Sequence, residues 1–310
     1  MQTIAWLGVR VGFRSLSSPV GRTRWGRLTY DALMRLHVLD ATYELFRAYF
    51  GYPRRSDPSG REVGAVWGLA DSTRRLLREP GVTHVAAAFD TSIRSFRNDV
   101  YDGYKTGEGV EQELFDQFPL AERTLEALGV VVWRMEEFEA DDALASAAFR
   151  FGDDVDQVVL LSPDKDLAQC VVGDRVVMYD RRRRMMIDED GVRDKWGISP
   201  VSMPDYLALV GDTADGIPGI RAWGAKSAST LLARYRRIER IPLDHDLWDV
   251  PVRGGLRLCE SLAANMDDAL FYRTLTTLRR DVPIAETIDD LEWVGEDEQA
   301  VRALAAELGF

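Results

Sequence analysis

From residue 34 onward, short apolar runs alternate with longer stretches whose apolar residues recur every three or four positions. The runs are LHVLD (36–40), VTHVAAAFD (82–90), GVVVW (129–133), QVVLLS (157–162) and DRVVMYD (174–180). Continuous apolar runs of this length, separated by helical stretches such as ATYELFRAYF (41–50), predict strands buried on both faces of a sheet. The expected fold class is α/β with a central, mostly parallel sheet. Ligands of such sheets bind beyond the carboxyl ends of the strands. Asp40 and Asp90 end the first two runs, Glu139, Asp141 and Asp142 follow the third, and Asp164 and Asp166 follow the fourth. Asp212 and Asp215 lie just beyond the helical run MPDYLALV.

Helix capping explains acids one helix at a time, at about 0.3–1 kcal/mol each. It does not explain why four strand ends all deliver carboxylates. Crowded like charges raise carboxyl pKa values and oppose folding unless a cation enters. Cys170 and Cys259 are far apart and His37, His84 and His245 are scattered, so the donors are oxygens, suited to Mg²⁺ or Mn²⁺ rather than zinc. Nine acids suit two ions, and two ions about 3.5–4 Å apart can activate a water and stabilise the leaving oxygen of a phosphodiester. Glu139 and Asp142 share a helix face from which Asp141 points about 100° away. In SPDKD, Asp164 and Asp166 are expected to point inward from an extended turn, with Lys165 pointing out.

Two further stretches carry candidate chemistry. IPGIRAWGAKSA (217–228) reads as a helix, a glycine-containing hairpin and a new helix, a device that offers backbone N–H groups to phosphate. Lys226 sits just inside the second helix, and Trp223 reads as a core plug. In SIRSFRNDVYDGYKTGEG (92–109), Arg97, Tyr101, Tyr104 and Lys105 follow helical spacing and combine cations with aromatic faces, as single-strand binding requires. An amphipathic surface helix is an equal reading of that segment. RRRR (181–184) reads as a solvated turn.

Composition narrows the setting. The chain has 46% hydrophobic and 29% charged residues, as ordinary globular proteins do. A formal charge of −12 counts against a polyanionic partner only for the surface as a whole, since acids reserved for cations leave the remainder less negative. No apolar run approaches the roughly 20 residues of a membrane span. The first segment lacks a signal-type apolar core, and the isolated cysteines fit a reducing, cytoplasmic setting. Residues 1–33, with Arg10, Arg14, Arg22, Arg24 and Arg27 against Asp31, read as a flexible basic extension. An α/β region over 34–200 and a helical region over 201–310 are expected to follow.

The order VLD…FRAY, AAFD…FRNDVYDGYK, EADD, SPDKDLAQ and GDTADGIPGI…GAKSA, from about Met34 to Tyr235, resembles the flap endonuclease/5′→3′ exonuclease family. That family includes the 5′-nuclease domain of bacterial DNA polymerase I and stand-alone phage and bacterial exonucleases. The resemblance implies a PIN-like domain with a helical arch, a helix–three-turn–helix DNA-binding element, and two-metal hydrolysis of DNA near a 5′ end or flap by a monomer. It places Asp40, Asp90, Glu139 and Asp141 near one ion, Asp164, Asp166 and Asp212 near the other, and Asp142 and Asp215 in outer positions. Arg47, Arg97 and Lys105 would meet the scissile phosphate, with Tyr104 beside them. Gly219, Gly224 and Lys226 would serve the hairpin, where K⁺ is a further candidate. Gly216 stands where the family usually has Asn, and Ala41 and Ala222 at usual glycines. A PIN-type ribonuclease and a non-catalytic DNA-binding protein of the same fold are the competing readings.

Overall fold

The computed structural model describes residues 33–107 and 109–309. The basic extension expected over 1–33 lies, Leu33 excepted, outside the described residues. The apolar runs form β1 (Arg35–Asp40), β2 (His84–Asp90), β3 (Val131–Met135), β4 (Gln157–Leu161) and β5 (Val176–Asp180), followed by β6 (Met185–Ile187). They pair in the order β3-β2-β1-β4-β5-β6. The first five are parallel and β6 returns antiparallel, so the four arginines tip a hairpin.

The helices are α1 (Ala41–Gly51), α2 (Gly64–Leu77), α3 (Phe96–Val100), α4 (Gln112–Phe115), α5 (Phe118–Ala127) and α6 (Ala140–Phe151). The later ones are α7 (Glu189–Trp196), α8 (Met203–Val210), α9 (Ala225–Tyr235), α10 (Gly255–Ala264), α11 (Met266–Thr276) and α12 (Glu298–Leu308). Leu36, Val38, Ala86, Ala88, Val158 and Leu160 pack into one core with α6, α8 and α9. The alternate strand residues Leu39, Val85, Ala87, Phe89, Val159 and Leu161 pack into a second core with α1, α2, α5 and α12. Each fully buried Leu or Val contributes roughly 1.5–3 kcal/mol, so both faces resist solvent. Among the described residues no helix is long and apolar enough to cross a membrane.

Two expected helices are not formed. Between Ser92 and Lys105 only α3 is helical. It is closed in front by a capping box of Ser95 and Asn98. Behind it, Asn98 Nδ2 donates to Lys105 O at 2.9 Å and folds the chain back in turns. Residues 217–220 are also not helical. Asp212 and Ile217 exchange backbone hydrogen bonds of 2.8 and 2.7 Å, and α8 is the first helix of the hairpin pair.

His37 lies in β1, 8% exposed, and its Nδ1 is buried without a hydrogen-bond partner. Burial, and then the charge of Arg35, lowers its pKa to about 4. Below pH 6.5 the unfolded chain takes up this proton and the folded chain does not. Stability from this group is therefore lost as pH falls from 6.5 to 4, by up to roughly 3 kcal/mol. In thermal melts across that window, His37→Leu should lose less stability than the unsubstituted chain. Parallel melting curves would contradict the assignment.

Candidate metal centre

Parallel pairing brings the carboxyl ends of β1, β2 and β4 to one edge. Asp40 caps α1: its Oδ1 accepts from Tyr43 N at 2.9 Å, and its Oδ2 from Ser162 Oγ at 2.8 Å. Asp90 Oδ1 accepts from Ala140 N at 2.8 Å, tying the start of α6 to the end of β2. Asp164 caps a 3-10 turn over Lys165–Cys170, replacing the extended turn expected there, and accepts from Asp166 N at 3.0 Å. Asp212 Oδ1 accepts from Ala214 N at 3.1 Å.

The electrostatics of this edge call for a cation. Burial, with Asp90 and Asp164 adding to it, pushes Asp40 up to about 7. Burial and Asp164 raise Asp141 and Asp166 well above the usual carboxylate range. Burial raises Asp90 and Asp215 as well, although Lys105 opposes it. Asp141 has no hydrogen-bond or ion-pair partner among the described residues. Asp166 Oδ1 is buried and accepts no hydrogen bond. Oxygens of Asp166, Asp212 and Asp215 lie within 4.8 Å of one another. Asp215, expected in an outer position, thus joins this cluster. Crowded, under-compensated carboxylate oxygens without nitrogen or sulfur donors fit a hard dication.

The three acids around the start of α6 do three different jobs. Asp142 is fully buried and receives Arg97 through two bonds of 2.7 Å, Glu139 N at 3.0 Å and Arg279 N at 2.9 Å. Its charge and lone pairs are met by a guanidinium and two backbone N–H groups of the chain, so at the outer position expected for it Asp142 holds Arg97 and the start of α6 in place. Glu139 accepts from Ser95 Oγ at 2.7 Å, Tyr104 OH at 3.2 Å and Lys105 Nζ at 3.0 Å. Against the effect of burial, Lys105 and Arg97 hold its pKa below the usual value. Asp141 alone is left for a cation.

Other expected residues are displaced too. Arg97 is 1% exposed, paired with Asp142, and donates to Leu275 O at 2.8 Å, so it does not reach a phosphate. Tyr104 is 2% exposed and packs with Ile217 and Leu275, so its ring is not presented at the surface. Lys165 turns inward, with Nζ 2.5 Å from Asp212 Oδ2. Arg47 pairs with Glu44 and bonds Ser72 Oγ at 3.0 Å. It lines a cleft of about 930 Å³ together with Phe46, Phe50, Arg75, Arg181 and Arg184, and none of the nine acids lines that cleft. Sequence reading missed this cleft, because its arginines and rings come from α1, α2 and the β5–β6 hairpin. Arg181, expected in a solvated turn, bonds Glu44 at 3.0 Å and Ser72 O at 2.8 Å.

Lys105 does reach the pocket, with Nζ 3.0 Å from Glu139 Oε2 and 3.5 Å from Asp215 Oδ1. Gly216 allows this. Its φ is +74°, and a Cβ there would lie 2.0 Å from Gly103 O, so the Lys105 loop rests directly on the turn that carries Asp212 and Asp215. Lys105 N donates to Asp215 O at 3.2 Å across that contact. At the hairpin, a Cβ on Gly219 would lie 2.5 Å from Gly211 N. Gly224 precedes α9, and Lys226 is exposed in its first turn. Trp223 is buried and its Nε1 donates to Leu258 O at 3.2 Å. Ala222 holds a left-handed φ of 73°, at a cost of roughly 1–2 kcal/mol.

A parallel sheet with buried carboxylates at its carboxyl edge, joined to a helical module that supplies two more, defines a resolvase-like α/β domain with a helical companion. The chain belongs to the 5′-3′ exonuclease family. Profiles described as its N-terminal resolvase-like domain and its C-terminal SAM fold match residues 35–197 and 198–299. The chain is 32% identical over 282 residues to DNA polymerase I of Bacillus caldotenax, covering 89% of this chain and 31% of that protein. It is 35% identical over 267 residues to DNA polymerase I of Rhizobium leguminosarum, covering 83% and 26%. It therefore spans about a third or less of the length of these curated relatives. T5 5′-exonuclease with divalent zinc ions bound superposes with a TM-score of 0.61 at 18% identity, over 88% of this chain and 99% of that one. The catalytic core of Rad2 in complex with DNA substrate gives 0.59 at 14%, over 93% and 91%. At these identities the superpositions establish the fold, which is the one expected.

Proposed function

We propose that this chain is a divalent-metal-dependent 5′→3′ exonuclease or flap endonuclease that hydrolyses DNA phosphodiesters near 5′ ends. The observation that carries the reading is the crowded, under-compensated carboxylate pocket, in which, among the described residues, the Asp141 carboxylate has no hydrogen-bond or ion-pair partner and the buried Asp166 Oδ1 accepts no hydrogen bond. Membership of the 5′-3′ exonuclease family supports it, as do the zinc-bound T5 enzyme and the DNA-bound Rad2 core. Asp40, Asp90 and Asp141 would hold one ion, Asp166, Asp212 and Asp215 the other, with Asp164 between them; Mg²⁺ or Mn²⁺ suits the donors. Such ions supply an activated water and stabilise the leaving oxygen.

The chain's own cations position the substrate. Lys105, 35% exposed at the rim, offers its ammonium to the phosphate whose bond is cut, while Glu139 and Asp215 hold it in place. The start of α9, with Gly219, Gly224 and Lys226, takes duplex backbone, and we place a K⁺ at that hairpin. The arginine-lined cleft takes a second stretch of the same nucleic acid by phosphate contact and stacking. A monomer acting in the cytoplasm, a boundary near residue 200 and a flexible basic extension complete the proposal.

The test uses an end-labelled 5′-flap DNA. Cleavage should require Mg²⁺ and stop with EDTA or with Asp164→Ala; activity that survives both rejects the reading. Lys105→Ala should bind the flap within a few-fold of the unsubstituted chain. Its single-turnover cleavage should be slower by about 10²–10³-fold, as for loss of one preorganised charge contact. An unchanged rate would remove the role given to Lys105.

A further inference from the structure

The Asp166–Asp212–Asp215 half of the pocket already holds a cation, and that cation is covalently attached to the chain. Lys165 Nζ lies 2.5 Å from Asp212 Oδ2 and 3.6 Å from Asp166 Oδ1, an oxygen that is buried and accepts no hydrogen bond. Among the described residues no ammonium pairs directly with Asp40, Asp90 or Asp141, and Lys105 acts on Asp90 and Asp141 only from its seat on Glu139 and Asp215, whereas Lys165 sits on Asp212 itself. Lys165 is also not locked in. Its side chain is 36% exposed on a flexible four-carbon stem, free to swing to solvent once the carboxylates find another partner.

We propose that Lys165 is a resident counter-cation that a dication must displace from Asp212 before Asp166, Asp212 and Asp215 can bind it. The affinity of this position is thereby set below that of the Asp40–Asp90–Asp141 position. The inference rests on reading the pocket as a two-dication site and adds an order of filling. The Asp40 half loads first, and the Asp212 half loads at higher ion concentration, or when a bound phosphate draws the ammonium away. Until then Lys165 relieves like-charge repulsion that would otherwise oppose folding.

Mn²⁺ binding to the full chain without DNA, followed by electron paramagnetic resonance of the free ion and by calorimetry, tests this. The unsubstituted chain should show one tighter and one weaker site. In Lys165→Met the weaker site should tighten by about tenfold or more, because metal entry no longer breaks an ion pair. The same variant should melt at a lower temperature without metal and gain more from Mn²⁺. Lys165→Arg, which keeps the charge, should retain the weak site. Lys165→Gln gives the same binding measurement if the methionine variant does not fold. An unchanged or weaker second affinity in the neutral variants overturns the inference and leaves the dication pocket standing. Absence of Mn²⁺ binding in every form overturns both.

Discussion

Asp141→Asn is expected to abolish Mg²⁺-dependent flap cleavage while leaving the metal-free protein more stable than before. The Asp141 carboxylate has no hydrogen-bond or ion-pair partner among the described residues, and burial together with Asp164, Asp40 and Asp90, against Lys105, raises its pKa well above the usual value. The folded chain therefore binds this proton more tightly than the unfolded chain, whose carboxyl titrates near pH 3.9. Stability from this group is present below that pH and is lost as pH rises toward the elevated folded value. An amide at position 141 removes this penalty at neutral pH. It also removes an oxygen charge from the dication position, so the melting-temperature gain on adding Mg²⁺ should shrink. Single-turnover cleavage should fall by at least about 10²–10³-fold. A variant that cleaves within a few-fold of the unsubstituted chain, or that melts lower without metal, would refute the place given to Asp141.

Arg97→Met should produce the largest loss of stability. The substitution leaves Asp142 buried at 0% exposure without its counter-charge and also removes the bond to Leu275 O. Breaking a buried pair from one side costs about 3–5 kcal/mol. For a chain of this size that lowers the melting temperature by roughly 10 °C. Replacing both partners, Arg97→Met with Asp142→Asn, should restore much of the loss, because no unpaired charge remains and the amide oxygen can still accept from a backbone N–H that Asp142 holds. Calorimetry separates this from a phosphate-binding role: a single variant that melts like the parent but no longer cleaves would return Arg97 to the substrate.

These two residues show where sequence reading stopped. Asp141 and Asp142 are neighbours of the same type, and spacing alone separates only their helix faces. The side chain that distinguishes them, Arg97, lies 45 residues away from Asp142. Tyr104 and Lys105 divide in the same way, one buried against Glu139 and the other reaching it from the rim. The inward turn of Lys165 was not legible because its partner Asp212 comes from a segment 47 residues distant. The arginine-lined cleft joins three separate elements, and no window of the chain contains it. The helical spacing read through Arg97, Tyr101, Tyr104 and Lys105 is realised only over Phe96–Val100, because Asn98 reaches the Lys105 carbonyl and turns the chain back.

The strands, by contrast, were legible to within two residues, from 36–40 against Arg35–Asp40 to 129–133 against Val131–Met135. Burial on both faces of a parallel sheet imposes a local pattern that needs no knowledge of partners, and the same geometry carries strand-end acids to one edge. Sequence alone therefore determined the sheet, its carboxylate edge and the oxygen-only chemistry. Only the tertiary structure decided which acids pair with cations of the chain, Asp142 with Arg97 and Asp212 with Lys165, and which stay crowded without such a partner among the described residues. That choice depends on charges brought within hydrogen-bond distance from remote parts of the chain, a distance that periodicity and composition do not encode.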